Sequence, residues 1–318
     1  MKPLFAAILI AGALGAAWAA QKPAPAPFRP PQTVSEEESP QASIRVDVAR
    51  VNILFTVTDK KGRFITDLGK EDFQVIENKR PQKILEFTAE SDLPLRLAIL
   101  VDTSNSIRDR FRFIQEAAIS FVESVLRPEQ DKAMVVSFDS RPELVDDLDN
   151  SIEKLTTGIR DLRAGGGTAL YDAISFASKE KLGLEHPRHK FRRAMVVLSD
   201  GDDNQSQATR EQALEMAQKA DVVIYTISTN RSGTAIEGDK VLRYFAAETG
   251  GQAFFPFEAR DLSQSFENIA NELRHQYNIF YRPEPMKTDG TYQKIALDVK
   301  GRKDLVVRAR KGYYAPRY

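Results

Sequence analysis

Oxygen-bearing side chains gather in three short segments of this sequence, each at the edge of a patterned run. The segments are Asp102-Thr103-Ser104-Asn105-Ser106, Gly165-Gly166-Gly167-Thr168 and Ser199-Asp200-Gly201-Asp202. Hydroxyl and carboxylate oxygens are ligands that suit Mg²⁺, Ca²⁺ and Mn²⁺. The sequence has no Cys and only three His, which disfavours a site for a softer metal. The three segments therefore point to a hard divalent cation.

The runs next to these segments have the pattern of a doubly wound α/β sheet over residues 94–275. Four nearly continuous apolar runs are typical of parallel strands buried on both faces: Leu95 to Val101, Ala133 to Phe138, Ala194 to Leu198 and Val222 to Ile227. Helical spacing of apolar residues appears over 111–126, 169–177, 210–220, 241–248 and 262–273. Such sheets bind ligands at the carboxyl ends of their strands. We therefore expect the three segments to meet at one edge of the sheet.

The spacing within the first segment has its own geometric meaning. Residues i, i+2 and i+4 of an extended backbone project to one side. If the segment is extended, Asp102, Ser104 and Ser106 all face a single ion. Thr168 and Asp200 would approach the same ion from the other two segments.

These residues resemble the metal-ion-dependent adhesion site of von Willebrand factor type A (VWA) domains. The matching positions are Asp102-x-Ser104-x-Ser106, Thr168 and Asp200, in the order and at the strand ends that the family shows. Two flanking stretches, Asp72-Phe73-Gln74-Val75 and Lys311-Gly312-Tyr313-Tyr314, also resemble exported bacterial VWA-related proteins of the acidobacterial type.

The resemblance implies roles for the five residues. Ser104, Ser106 and Thr168 would bind the cation directly, and Asp102 and Asp200 would act through water or change places with it. Mg²⁺ is the expected cation, with Ca²⁺ and Mn²⁺ also compatible. Neutral hydroxyl ligands leave the charge of the ion poorly compensated, so it would accept an Asp or Glu carboxylate from a protein ligand. The expected function is a non-enzymatic adhesion or scaffold module.

Two other interpretations of the same residues stay open. In the first, the cation activates water for hydrolysis, with Asp200 or Asp202 as the base. In the second, the ion is purely structural and only holds the three loops together. The chain has no G-x-S-x-G, Walker or H-E-x-x-H motif. A second metal site is not predicted, because Arg110 follows Asp109 where integrin-like relatives have consecutive acidic residues.

The two ends of the folded part of the chain have the period-two pattern of β-strands. Residues 44–93 alternate through Ile53, Phe55 and Val57, and residues 276–318 do so through Ile295, Leu297 and Val299. Because isolated hairpins are marginally stable, we expect the two segments to pair into one small β-sandwich that flanks the α/β domain. Basic residues alternate with the apolar ones near the C-terminus, from Arg302 to Arg317, and predict a solvated strand face.

The N-terminus has the features of an export signal. Lys2 precedes an apolar run, and Ala17-Trp18-Ala19 offers a cleavage site, so we expect a signal peptide over 1–19. An uncleaved membrane anchor is the alternative, although the run is short for a bilayer span. Six of the 16 Pro lie within residues 20–43, and this composition predicts a disordered linker. The expected location is the periplasm or the cell exterior, with no membrane span left after cleavage.

The overall charge limits the classes of partner. The chain has 45 Lys and Arg against 45 Asp and Glu over 318 residues. Since nucleic-acid binding usually requires a basic surface, this balance argues against a nucleic-acid partner and leaves function to local sites.

Overall fold

A computed structural model describes residues 50–89, 93–187, 190–230 and 236–317 of the chain. The described residues lie within one compact unit, Asp47–Tyr318. The predicted signal peptide and linker, together with the first residues of the N-terminal β segment, lie outside the described residues. Within these ranges no helix has both the length and the apolar character needed to cross a membrane.

The strands are numbered in chain order. They are β1 (Val51–Asp59), β2 (Phe73–Glu77), β3 (Arg80–Gln82), β4 (Ile84–Thr88), β5 (Leu95–Asp102), β6 (Lys132–Phe138), β7 (Pro142–Asp149), β8 (Arg192–Ser199), β9 (Val222–Ser228), β10 (Ala253–Phe254), β11 (Tyr277–Tyr281), β12 (Tyr292–Val299), β13 (Leu305–Ala309) and β14 (Gly312–Tyr314).

The α-helices are α1 (Phe111–Val125), α2 (Ile152–Asp161), α3 (Leu170–Phe176), α4 (Arg210–Lys219), α5 (Glu237–Thr249) and α6 (Ala259–Arg274). Short 3₁₀ turns cover Lys70–Asp72, Asn105–Arg110 and Leu182–Leu184, and a π-helical turn covers Ala177–Lys181.

The central sheet has six strands in the order β10-β9-β8-β5-β6-β7, and all pairs except β6 with β7 are parallel. Every residue of β5, β8 and β9 is buried, because apolar helices cover both faces of the sheet. The predicted fold class, a mostly parallel doubly wound sheet, is confirmed. The parallel arrangement also places the carboxyl ends of β5 and β8 next to each other.

Strand β7 and helix α2 are among the elements of this domain that were not predicted from the sequence. Strand β7 is an antiparallel edge strand whose residues are mostly partly exposed, so it lacks the apolar run that marks the inner strands. Helix α2 has only ten residues and contains Gly158, which weakens a helical pattern.

The segments before and after this domain form two four-stranded antiparallel sheets. Their strand orders are β13-β1-β11-β4 and β14-β12-β2-β3. Each combines strands from both ends of the chain: Ile53 pairs with Ile279 in one sheet, and Val75 pairs with Leu297 in the other. Their inner side chains form a single core, with the rings of Phe55 and Phe73 5.0 Å apart. The two sheets therefore form a β-sandwich.

The prediction of a solvated basic face near the C-terminus is wrong for two of its arginines. Arg308 forms an ion pair with Glu272 of α6 at 2.7 Å, and Arg310 pairs with Asp221. Thr56 of β1 also donates to Glu272, at 3.2 Å. These arginines turn toward acidic groups of the α/β domain, so they join the two parts of the fold instead of facing solvent.

The Glu272–Arg308 pair is expected to contribute to stability. The Glu272 side chain is only 2% exposed, and burial raises its pKa while Arg308 opposes the rise. Replacing Arg308→Gln would leave a buried carboxylate without its cation, and we expect a loss of about 2–3 kcal/mol of unfolding free energy at pH 8. Urea denaturation followed by circular dichroism measures the loss.

The loss should depend on pH in one direction. Below the raised pKa of Glu272 the carboxyl is neutral in the folded variant and needs no cation, so the difference from the wild type shrinks as the pH falls through that pKa. Arg302→Gln is the matched control, because Arg302 pairs with Asp304 on the exposed surface. A loss of equal size in both variants, or one that does not change with pH, would contradict the assignment.

Candidate metal site

The carboxyl of Asp102 is the most deeply placed group of the site. Asp102 ends β5 and is 0% exposed, and Ser199 ends the neighbouring parallel strand β8. In the register Val101 lies opposite Leu198, so the next residues, Asp102 and Ser199, meet at the strand ends. Ser199 Oγ donates to Asp102 Oδ2 at 2.7 Å, and the Ser104 backbone N–H donates to Oδ1 at 2.8 Å.

The environment of Asp102 favours a neighbouring cation. Burial raises the pKa of Asp102 to about 6, while hydrogen bonds from Ser104 and Ser199 lower it and the charge of Asp200 raises it further. Ionising a buried carboxyl costs free energy unless a positive charge lies nearby. A divalent ion next to Asp102 would supply that charge and hold the group in its ionised form.

The hydroxyls of Ser104 and Ser106 lie side by side, but the backbone that joins the two residues is not extended as expected. Their Oγ atoms are 2.9 Å apart. Ser104 has an extended backbone (φ −63°, ψ 166°), and a 3₁₀ turn begins directly after it at Asn105. The expectation of an extended segment through Ser106 is therefore wrong. The turn closes the chain back on itself and brings the exposed Ser106 hydroxyl to the buried Ser104.

The second segment is held against the first by main-chain contacts. The Gly165 N–H donates to Thr103 O at 2.6 Å, and the Asn105 N–H donates to Gly166 O at 3.3 Å. Thr168 is only 3% exposed, and its hydroxyl makes no hydrogen bond to any residue within the described ranges. An unpartnered hydroxyl at this position fits a cation ligand.

The third segment is tied to the second by Asn204. Asn204 Oδ1 accepts from the Thr168 N–H at 3.0 Å, and the Asn204 N–H donates to Thr168 O at 3.0 Å. Asp200 is partly exposed and accepts from the Asp202 N–H at 3.2 Å. The pKa of Asp202 is raised by burial and then by the charges of Asp200 and Asp239, so the edge has a negative potential.

The structure thus brings together the loops that carry all five predicted ligands. Asp102, Ser104 and Ser106 are linked by hydrogen bonds, and Thr168 and Asp200 lie on the two adjoining loops. The donors are two carboxylates and three hydroxyls, a set of hard oxygens that fits Mg²⁺, Ca²⁺ or Mn²⁺. Across the described part of the chain, no group of three or more His, Cys, Asp or Glu forms a different metal cluster.

Sequence reasoning included Ser199 in the third segment without giving it a role and did not single out Asn204. Both position the predicted ligands. The role of Ser199 could have been found from the register, because the last residues of adjacent parallel strands lie side by side. Nothing in the sequence signals Asn204, whose role depends on how a loop folds back over Thr168.

Asp203 has a local structural role. Its Oδ2 accepts from the Tyr171 N–H at 3.0 Å and from Ser206 Oγ at 2.6 Å, so it holds the start of α3 against the third loop. Arg110, at the position where a second site would need an acid, is buried and donates to Thr229 O at 3.2 Å and to Phe257 O at 3.3 Å.

Comparison with known proteins identifies the family. The family model of the von Willebrand factor type A domain matches residues 97–272, more than half of the chain. The chain belongs to the VWA domain family. Human von Willebrand factor A domain-containing protein 3B is 28% identical over 182 residues, which cover 55% of this chain and 13% of that protein. The chain therefore spans only a small part of that relative.

Solved structures are similar to this chain at low sequence identity. Proximal thread matrix protein 1 from the mussel byssus, in a structure with a zinc-occupied MIDAS motif, is 19% identical with a TM-score of 0.50 and covers 62% of this chain and 49% of its own. A von Willebrand factor type A protein from Catenulispora acidiphila is 13% identical with a TM-score of 0.49, covering 74% of each chain.

Gly201 is expected to be essential for the position of Asp200. Gly201 has φ +84°, and a Cβ there would lie 2.2 Å from the backbone O of Gly238 at the start of α5. Gly201→Ala therefore adds a collision to the backbone strain, and we expect it to cost roughly 3 kcal/mol of unfolding free energy. Chemical denaturation followed by circular dichroism measures the cost.

Gly62→Ala is the control that separates the backbone strain from the collision with α5. Gly62 has φ +80°, and a Cβ added there would have nothing within 4 Å, so only the strain of about 1 kcal/mol remains. Equal costs for the two variants would show that the close approach of the third loop to α5 does not matter.

Proposed function

We propose that this protein is a non-enzymatic binding module that captures a protein ligand through a divalent cation at the VWA metal site. The observation that carries the proposal is the donor set: three hydroxyls and two carboxylates on loops that hydrogen bonds hold together. VWA domains commonly bind proteins in a metal-dependent way, and a structural neighbour has a zinc-occupied MIDAS motif.

Ser104, Ser106 and Thr168 would hold the ion directly, with Asp102 and Asp200 behind them. Hydroxyl ligands carry no formal charge, so a dication bound mainly by them keeps much of its attraction for an anion. The Asp or Glu side chain of a ligand protein supplies that anion. Mg²⁺ is the proposed ion, because small hard cations prefer oxygen ligands and retain exchangeable water.

Metal binding should depend on the proposed ligands. Mn²⁺ binds such oxygen sites and is paramagnetic, so bound Mn²⁺ is measured by the enhanced relaxation of water protons. We expect Asp102→Ala and Ser106→Ala each to weaken Mn²⁺ binding by at least about tenfold, because each removes an oxygen near the ion. Ser106 is exposed, so its variant should fold normally. The control is Asp109→Ala, at an exposed neighbouring carboxylate.

The same measurement separates a ligand-binding ion from a purely structural one. Adding Nα-acetyl-aspartate amide should lower the relaxation enhancement of the loaded wild type, because its carboxylate replaces bound water. An ion without an exchangeable position would show no such change. Unaltered Mn²⁺ binding in Asp102→Ala and Ser106→Ala would refute the proposed site itself.

We further propose that the protein is exported, on the basis of the signal-like sequence at residues 1–19. Expression of the full chain in a Gram-negative host should yield an extracytoplasmic form whose N-terminus is Ala20, because Ala17-Trp18-Ala19 matches the small-x-small rule for cleavage. Mass spectrometry of the intact protein measures this. Replacing Ala19→Asp should block the cleavage, and an unprocessed wild-type chain in the cytoplasm would contradict the proposal.

A further inference from the structure

A groove of about 890 Å³ runs between strand β7 and helix α2. Its lining includes Thr103, which lies in the chain between the proposed ligands Asp102 and Ser104, and Asp139. Asp139 lies against the second loop of the metal site, since a Cβ on Gly166 would be 2.7 Å from Asp139 Oδ2. Part of the groove therefore lies beside the first and second loops of the metal site.

The lining of the groove is more acidic than basic. Its five acidic residues are Asp139, Glu143, Asp146, Glu153 and Asp161, and its three basic residues are Arg141, Lys154 and Arg163. The carboxylates of Asp139, Glu143, Glu153 and Asp161 have no hydrogen-bond or ion-pair partner among the residues that the structure describes. These four groups are available to a ligand.

Two of the three basic residues are already occupied by the protein. Lys154 Nζ lies 3.0 Å from Asp149 Oδ2. Arg163 Nη1 donates to the backbone oxygens of Arg160, Asp161 and Leu162 at 2.8 to 3.2 Å. Arg141 is exposed at the rim. Carbonyl oxygens leave the charge of Arg163 in place, so with five acidic against three basic residues the groove carries a net negative charge.

Asp146 provides an independent indication that a cationic group is missing. It is 9% exposed, and its Oδ2 is buried without a hydrogen-bond partner among the described residues. The carboxyl lies directly on α2, since a Cβ on Gly158 would be 1.9 Å from Oδ2. Burial raises the pKa of Asp146, and Lys154 opposes the rise. A buried carboxylate oxygen with no partner is costly, and a positive group entering the groove would reduce that cost.

We propose that this groove binds a basic side chain, Arg or Lys, of the same protein ligand whose Asp or Glu binds the metal. The proposal rests on the proposed function and specifies the ligand further: an acidic residue with a basic residue a short distance along the chain. The groove carboxylates are not proposed as a second metal site, because no group of three or more His, Cys, Asp or Glu side chains that could hold a metal occurs in the described ranges.

The groove can be tested without metal or partner. The probe is Nα-acetyl-arginine amide, and its neutral isostere Nα-acetyl-citrulline amide is the control. Both are titrated into the ¹⁵N-labelled full chain in EDTA, and backbone amide shifts are recorded. We expect the arginine probe to shift the amides of Asp146, Gly158 and Asp161, and to bind at least about fivefold more tightly than the citrulline probe.

Three variants give the titration its specificity. Asp146→Asn and Asp161→Asn should each weaken binding of the arginine probe by about threefold or more, because each removes one negative charge. Asp161 is exposed, so its variant keeps the test valid if Asp146→Asn does not fold. Asp298→Asn changes an exposed acid on β12 and should have no effect. Equal binding of the two probes, or shifts outside the groove, would overturn the proposal.

A second measurement tests the link to the metal site. Gly/Ser peptides carry one Asp and one Arg separated by about two to six residues, which spans roughly 7 to 20 Å. In Mg²⁺ we expect at least one spacing to bind more tightly than its Asp–citrulline counterpart. Asp102→Ala should remove the Mg²⁺-dependent part of peptide binding but not binding of the arginine probe in EDTA. Peptide binding in Mg²⁺ that does not depend on the Asp of the peptide would refute the metal site, whereas no gain from Arg at any spacing would overturn the shared ligand.

Discussion

The fully buried carboxyl of Asp102 at the end of β5 is the group on which the candidate site depends. A carboxylate in this position must be paired, because an isolated buried charge costs several kcal/mol. The protein supplies only neutral donors to its oxygens within the described ranges, from Ser199 and from the main chain of Ser104. Because these neutral donors do not compensate the negative charge of the carboxylate, this strand end is suited to a cation.

The other parts of the site follow from the need to bring three loops to that one carboxyl. Main-chain hydrogen bonds join the first loop to the second, and the Asn204 side chain joins the second to the third. The position of the third loop is fixed by its close backbone approach to α5, since Gly201 and Gly238 leave no room for a Cβ. The hydroxyl ligands are therefore positioned by rigid main-chain contacts, which favours a preformed site over one assembled by the ion.

The β-sandwich contacts the VWA domain near the amino ends of the central strands, opposite the metal site. Arg310 pairs with Asp221, which directly precedes β9. Arg308 pairs with Glu272 of α6, and the end of α6 lies at the start of β8, where Arg192 donates to Leu273 O. The arginines of β13 and the segment after it reach this end of the sheet from the sandwich. Because β5 and β8 are parallel, their starts lie at this joint and their ends lie at the metal site, so attachment and binding occupy different ends of the same strands.

The sequence by itself determined the features whose patterns are local: the buried parallel strands, the two β segments, and the candidate ligands Asp102, Ser104, Ser106, Thr168 and Asp200. The structure confirms the fold class and brings these loops together, while metal binding itself stays a prediction. Only the tertiary structure decided the contacts between distant segments. The acidic groove could not be predicted, because the sequence patterns of β7 and the short α2 are mixed. Arg308 is paired because the sandwich packs against Glu272 of α6. Periodicity reports which face of a segment is apolar, but which charged group lies opposite depends on the packing of the whole domain.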